Sequence, residues 1–341
     1  MGVFRSLEAL EPEFVPERLP GREAELSEIA AALKPALKGG QPQPLFIEGR
    51  TGVGKTCCVR YACNSLADEG NVRIVYVNCW QVYTRQGVLA ELARQVGEAL
   101  PRRGLAGDEV FQRIAQACKK EGVIPIVVLD EVDQLLARGE GGVLYDFTRS
   151  RELTGAAVGV VCITNDHEAF SRLDERVRAA FIAGRVEFKP YTPKQLREIA
   201  RERATKAFKP NAMTDEALGV CVARGAREGG DCRVTLNLLL AAGRRAEARN
   251  AERVEAEDVP REATNASVEK KLSRLNQAEE TLLELVGDGV LSGELYAAAE
   301  KAGLNLGERS IRTYLDRLVK NGFLEFEERA DKGRTRFYKR T

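Results

Sequence analysis

An α/β fold is expected: a parallel sheet flanked by helices, followed by a helical second domain and a C-terminal winged helix. Three observations predict it. Short apolar, strand-like runs alternate with longer amphipathic segments over residues 45–161. Strand patterns stop after Tyr191, where helical patterns take over. Residues 270–341 then read as three helices and a hairpin.

The strand candidates are residues 45–48, 73–78, 124–129, 157–164 and 185–188, with helical patterns between them such as 55–67 and 87–100. Strands separated by helices imply parallel pairing with helices on both faces. Thr192-Pro193 places a hydroxyl cap and a proline where a helix begins. The longest helix of the second domain is expected over residues 231–251, opened by Asp231 as N-cap. Residues 260–275 carry Pro, Thr, Asn and Ser before turning helical, which reads as a linker. The expected domains are therefore 1–189, 190–262 and 270–341.

Composition limits the function classes. With 341 residues, 44% apolar and 30% charged, the chain has room for two or three domains with cores of their own. No apolar run approaches the roughly 18 residues needed to span a bilayer, and the N-terminus has no signal pattern, so a cytoplasmic protein without membrane partners is expected. The eight cysteines form no CxxC pair, and His167 is the only histidine. Zinc coordination and Ser-His-Asp or Cys-His catalysis are disfavoured, and buried free thiols in a reducing compartment are expected.

Gly49, Arg50, Thr51, Gly52, Val53, Gly54, Lys55 and Thr56 match G-x-x-x-x-G-K-[ST] at every fixed position, after the strand LFIE and before a helix. Glycines let backbone N–H groups curl round phosphate oxygens, and the helix directs its positive end at the same anion. Lys55 is expected to reach the β and γ phosphates, and Thr56 to hold Mg²⁺. In IVVLDEVDQLL, Asp130 ends a buried strand and can hold Mg²⁺ through its water shell. Glu131 can accept a proton from the attacking water. Asp133 reads as a helix-start carboxylate.

Asn165 emerges at another strand end, where it can orient that water or simply form a turn. Arg176 and Arg178 fall near a helix end, either as solvated charges or as an arginine finger for a neighbouring subunit. Arg233 falls in the first turn of the helix capped by Asp231. A cation there opposes the helix dipole, and an anion held between the two domains would supply the reason.

These motifs, together with PEFVPERLPGREAELSEIAAAL, RIVYVNCWQVYTRQGVLAEL, ITNDHEAFSRLDERVRAAF and GGDCRVTLNLLLAAGRRAE, resemble the AAA+ ATPases, and within them the archaeal origin-recognition and cell-division-cycle initiator family. The resemblance runs over nearly the whole chain. It implies a Walker A loop at Gly49 to Thr56, a Walker B pair at Asp130 and Glu131, sensor 1 at Asn165 and sensor 2 at Arg233. It further implies an adenine-wrapping segment around Val15, Leu19, Pro20 and Arg22, and a DNA-contacting insertion over residues 82–103 ending in Arg102 and Arg103. After Arg178 the chain reads AAF where the family more often carries a small hydroxyl-containing run, so either Arg176 or Arg178 could serve as the finger.

The resemblance implies ATP or ADP and Mg²⁺ as cofactors. Its implied partners are double-stranded origin DNA, the replicative helicase and paralogous initiator subunits, in a cytoplasmic, nucleoid-associated setting. The expected activity is a slow ATPase acting as a molecular switch in replication initiation. The rival readings are an ATP-gated signalling or transcription-regulating NTPase with a winged helix, and a clamp-loader-like machine, disfavoured because such subunits end in a helical collar.

The C-terminus suggests DNA without the family. Helices are expected over residues 277–286, 293–302 and 309–321, the last burying Ile311, Tyr314, Leu315, Leu318 and Val319 on one face. The opposite side offers Arg309, Ser310, Arg312, Thr313 and Arg317 to a major groove. Residues 326–340 form a hairpin in which Arg329 to Arg340 carries six basic residues against one acid, in a chain whose net charge is only +1. Lys332, Arg334 and Arg336 can rest on phosphates. A protein-contacting wing or a solvated edge that discourages strand pairing is the other reading.

Overall fold

The structure, a computed structural model, describes residues 2–98, 106–260, 277–287, 289–302, 304, 307–320, 323–330 and 334–340. The chain divides into two compact units, Met1–Ala263 and Thr264–Thr341.

The first unit runs α1 (Glu23–Leu33), β1 (Leu45–Glu48), α2 (Lys55–Glu69), β2 (Val72–Asn78), α3 (Arg85–Val96), α4 (Gly107–Glu121) and β3 (Ile124–Asp130). It continues with α5 (Asp133–Leu136), α6 (Gly142–Thr148), α7 (Ser150–Thr154), β4 (Gly159–Thr164), α8 (Glu175–Phe181), β5 (Arg185–Glu187), α9 (Pro193–Ala207), α10 (Asp215–Arg227) and α11 (Cys232–Ala248). The five strands form one parallel sheet in the order β2-β3-β4-β1-β5. The inner strands β1, β3 and β4 are apolar almost throughout because helices cover both faces. One face packs Leu45 and Ile47 against Ile29, Leu33, Val59 and Leu66 of α1 and α2. The other packs Phe46 and Val127 against Leu89, Phe111, Phe147 and Phe181.

Element boundaries moved where caps decide them. The helix expected over 87–100 begins at Arg85, because Thr84 caps it by accepting from the Gly87 N–H at 3.1 Å. It ends at Val96, because Gly97 takes φ 82° and returns its N–H to Ala93 and Arg94. Arg102 and Arg103 lie outside the described residues.

Helices α9, α10 and α11 share a separate apolar core that includes Leu196, Leu218, Leu236 and Leu239. Thr192 and Gln195 form a reciprocal capping box at the start of α9. The N-terminal residues Val3, Ala9 and Leu10 also lie in this helical core, although the sequence places residues 1–189 with the sheet. Phe4 stacks on Phe208 at 4.9 Å, and Gly243 leaves room for the Phe4 ring against α11. These apolar residues find their cover in the lid helices.

The second unit runs α12 (Gln277–Val286), β6 (Val290–Leu291), α13 (Ser292–Lys301), α14 (Glu308–Lys320), β7 (Leu324–Ala330) and β8 (Arg334–Arg340). Its antiparallel sheet has the order β6-β8-β7. This is the order of elements expected of a winged helix, closed over a core of Leu282, Leu295, Ile311, Leu315, Leu318 and Tyr338. Among the described residues no helix is long and apolar enough to cross a membrane. The eight cysteines are free thiols, six buried and two partly exposed.

Candidate nucleotide-binding site

The loop between β1 and α2 is shaped by backbone that side chains resist. Gly49 takes φ 149°, and a Cβ there would lie 2.5 Å from the Phe188 carbonyl oxygen. Lys55, buried at 8% exposure, opens α2 and turns back over the loop. Its Nζ donates to the carbonyls of Gly49 at 2.6 Å and Arg50 at 2.7 Å. An ammonium has three donors, so this grip does not exhaust it.

Two strand ends face the loop. Asp130 closes β3, and its Oδ2 accepts from the Thr56 hydroxyl at 3.0 Å and the Tyr76 hydroxyl at 2.8 Å. Thr56 and Asp130 thus stand together beside the Lys55 ammonium, a hard-oxygen pair of the kind that suits Mg²⁺ with its water shell. Asp133 is a strand-end tie: its Oδ1 accepts from Thr164 on β4 at 2.9 Å.

Glu131 sits at φ 58°, left-handed backbone that a non-glycine residue seldom adopts. Both neighbours hold it there. The Asp130 carbonyl accepts from Cys79, just past β2, at 2.9 Å, and the Val132 N–H donates to Ile163 on β4 at 3.0 Å. Asn165 follows the last residue of β4, the strand between β1 and β3, and is exposed.

The lid meets the loop directly. The Cys232 N–H donates to the Gly52 carbonyl at 3.0 Å. The Asp231 carboxylate caps α11, accepting from Arg233 N–H at 2.7 Å, and fills the space a side chain at Gly52 would need. Arg233 is exposed at the head of α11, and its charge acts on Lys55. Burial first, and Arg233 second, pull the Lys55 ammonium down from 10.5 to about 8.

The N-terminal segment is braced from both sides. Arg22, buried at 3% exposure, donates to the Val53 carbonyl at 3.0 Å and to the Lys189 carbonyl at 2.5 Å, with its guanidinium 4.0 Å from the Tyr191 ring centre. Val15, Leu19 and Pro20 are half-buried along the same segment. From the lid, Arg203 on α9 donates to the carbonyls of Ala9 at 2.9 Å and Phe14 at 3.2 Å and covers the Phe14 ring. Arg203→Met should leave both carbonyls short of a donor, at about 1–3 kcal/mol. Hydrogen exchange should then quicken over residues 4–17. Unchanged exchange there would show that the segment holds without Arg203.

Arg176 and Arg178 lie on α8. Arg176 pairs with its own cap, Asp174, at 3.4 Å and is 72% exposed, while Arg178 is half-buried and its charge also acts on Asp174. In the second unit, Ser310, Arg312 and Thr313 are exposed on α14. Arg317 reaches the buried carboxylate of Glu279 at 3.0 Å. Arg336 bonds Asp316 at 2.7 Å and lies 4.4 Å from the Phe326 ring centre. Arg309 opens α14 beside Glu308, and Arg334 opens β8. Lys332 lies outside the described residues.

Sequence reasoning missed Tyr76, Thr164, Tyr191 and Arg203. Tyr76 lies in a strand that also carries Arg73 and Asn78, so no local signal marked it. Its partner Asp130 is 54 residues away and could not be named.

Residues 38–173 match a family model described as AAA domain, and residues 197–265 one described as Cdc6 AAA+ ATPase-type lid domain. The chain is 35% identical over 323 residues to the ORC1-type DNA replication protein of Desulfurococcus amylolyticus, covering 89% of this chain and 81% of that one. It is 35% identical over 243 residues to ORC1-type DNA replication protein 1 of Archaeoglobus fulgidus, an alignment spanning 59% of that relative. The structure of the Aeropyrum pernix ORC1 protein in complex with DNA superposes with a TM-score of 0.83 at 31% identity, covering 99% of this chain and 94% of the other.

Proposed function

Because the chain is an AAA+ ATPase belonging to the family of ORC1-type DNA replication proteins, we propose that it is an ATP-controlled initiator that binds double-stranded origin DNA and helps load the replicative helicase. The observation that carries the switch is the seat of α11 on the phosphate loop, through Cys232 on Gly52 and the charge of Arg233 on Lys55. Phosphates laid along Gly49 to Thr56 would stand between two cations from different layers of the unit. Bound nucleotide then draws lid and sheet together, and its hydrolysis loosens them.

Within this reading Lys55 and Arg233 neutralise phosphate charge, Val15, Leu19, Pro20 and Arg22 form the base-proximal wall, and Glu131 accepts the proton of the attacking water while Asn165 orients it. Thr56 and Asp130 would hold Mg²⁺, which supplies charge neutralisation at the transferred phosphate. Arg176 or Arg178 serves the nucleotide of a neighbouring, paralogous subunit. Arg102, Arg103, Arg309, Ser310, Arg312, Thr313, Lys332 and Arg334 meet DNA. The work is done in the cytoplasm, on the nucleoid.

Footprinting on the source genome tests the function. Protection of repeated elements at an origin is expected, and protection confined to promoters would replace the initiator with a transcription-regulating NTPase. Salt titration tests the DNA face. Arg312→Ala should lower the slope of log K against log salt by about one unit. Arg317→Ala should instead remove the ion pair to the buried Glu279 carboxylate and lower the melting temperature of the second unit. An unchanged slope for Arg312→Ala would turn that face of α14 away from phosphate.

A further inference from the structure

Tyr76 has no role in the activity described so far, yet its hydroxyl ends on the carboxylate that closes β3. Among the described residues, both hydrogen bonds to the Asp130 side chain fall on Oδ2, from Tyr76 at 2.8 Å and Thr56 at 3.0 Å. Both are donated bonds. The Thr56 oxygen therefore keeps its lone pairs for a cation while its O–H is directed at Asp130. The second carboxylate oxygen is left to accept from the cation's water shell.

The phenol is itself held. Tyr76 stands opposite Val128 on β3, two rungs before the Asn78–Asp130 pair. The Arg60 guanidinium lies 4.8 Å from its ring centre. Arg60 follows Thr56 by four residues, so one face of α2 sends Thr56 to Asp130 and Arg60 to Tyr76. The ring is half-buried between α2 and the strand end.

We propose that Tyr76 is a positioning residue for the divalent-cation site: braced by Arg60, its hydroxyl fixes the Asp130 carboxylate so that Thr56 and Asp130 present a preformed seat to nucleotide-bound Mg²⁺. This rests on the reading of Thr56 and Asp130 as the cation site. Groups that orient metal-binding side chains typically change metal affinity by about 10–100-fold when removed. A bystander hydroxyl satisfied in the core would change thermal stability alone.

Tyr76→Phe keeps the ring and removes the bond. Nucleotide affinity is measured by calorimetry in EDTA and across a Mg²⁺ titration, with Mn²⁺ paramagnetic resonance on the nucleotide complex as a direct count of bound cation. The expected result is an affinity in EDTA within about twofold of the unaltered protein. The Mg²⁺ and Mn²⁺ concentrations for half-saturation should rise about tenfold. Arg60→Met should move the cation requirement in the same direction by less. An unchanged cation requirement in Tyr76→Phe, whatever its melting temperature, overturns the proposal. Asp130→Asn separates the two layers: if its cation requirement equals that of the unaltered protein, the cation-site reading falls and the inference with it. If Asp130→Asn loses the cation while Tyr76→Phe does not, only the inference falls.

Discussion

Lys55→Ala should all but abolish nucleotide binding, with a loss of about 30-fold to several-thousandfold in affinity. The ammonium is the loop's own cation. It is oriented by the Gly49 and Arg50 carbonyls and shielded from water. Truncating one partner of a buried, hydrogen-bonded charge pair costs about 2–5 kcal/mol or more, and each 1.4 kcal/mol is about tenfold in affinity.

The fold does not suffer with it. The folded pKa of Lys55, about 8, lies below its unfolded value of 10.5, so the unfolded chain binds the proton more tightly. The resulting cost to the fold is fully present below pH 8 and fades as pH rises to about 10.5. Alanine removes that cost but also takes the donor from the Gly49 and Arg50 carbonyls, so the two effects offset and the nucleotide-free variant at pH 7 should melt close to the unaltered protein. Retained binding with a changed melting curve would take Lys55 out of the phosphate site.

The same shift gives nucleotide binding a pH dependence. A bound triphosphate raises the Lys55 pKa, so above about pH 8 each binding event takes up a proton. Affinity should weaken by up to about tenfold per pH unit from there. Calorimetry in buffers of different ionisation enthalpy reads the uptake directly, and Lys55→Ala should lose it.

Glu131→Gln should leave ATP affinity within about twofold and lower hydrolysis by about 10²–10⁴-fold, the usual contribution of a positioned general base. The backbone supports the assignment independently of the motif. Glu131 is held at φ 58° by bonds on both sides, Asp130 to Cys79 and Val132 to Ile163. Strain of that kind, of order 1–3 kcal/mol, persists only where the surroundings impose it and gathers at functional sites. Glu131→Gly should therefore gain stability of about 1 kcal/mol while losing hydrolysis. A Glu131→Gln enzyme that hydrolyses ATP at full rate would remove the residue from catalysis.

Much of the molecule was legible along the chain because its signals are local. The inner strands are nearly continuous apolar runs, the phosphate loop is a fixed spacing of glycines and Lys55, and Thr192 with Gln195, three residues on, caps the start of α9. The amphipathic stripe of α14 placed Ile311, Leu315 and Leu318 in the core of the second unit. Boundaries failed where a cap outranked periodicity, as at Gly97. Among the basic residues marked for DNA, sequence could not separate Arg312, exposed on α14, from Arg317 and Arg336, whose carboxylate partners Glu279 and Asp316 are 38 and 20 residues away.

By itself, then, the sequence determined the parallel sheet, the phosphate loop with Lys55 and Thr56, the acidic strand end and the helix–hairpin order of the C-terminus, since each depends on neighbours within a few residues. Only the tertiary structure decided that Val3 and Leu10 belong to the lid core, that Asp231 and Cys232 seat α11 on Gly52, and that Tyr76 closes on Asp130. Those contacts join residues tens to hundreds of positions apart. Burial leaves polar groups on distant segments to satisfy one another, and which segments meet is a property of the packed core.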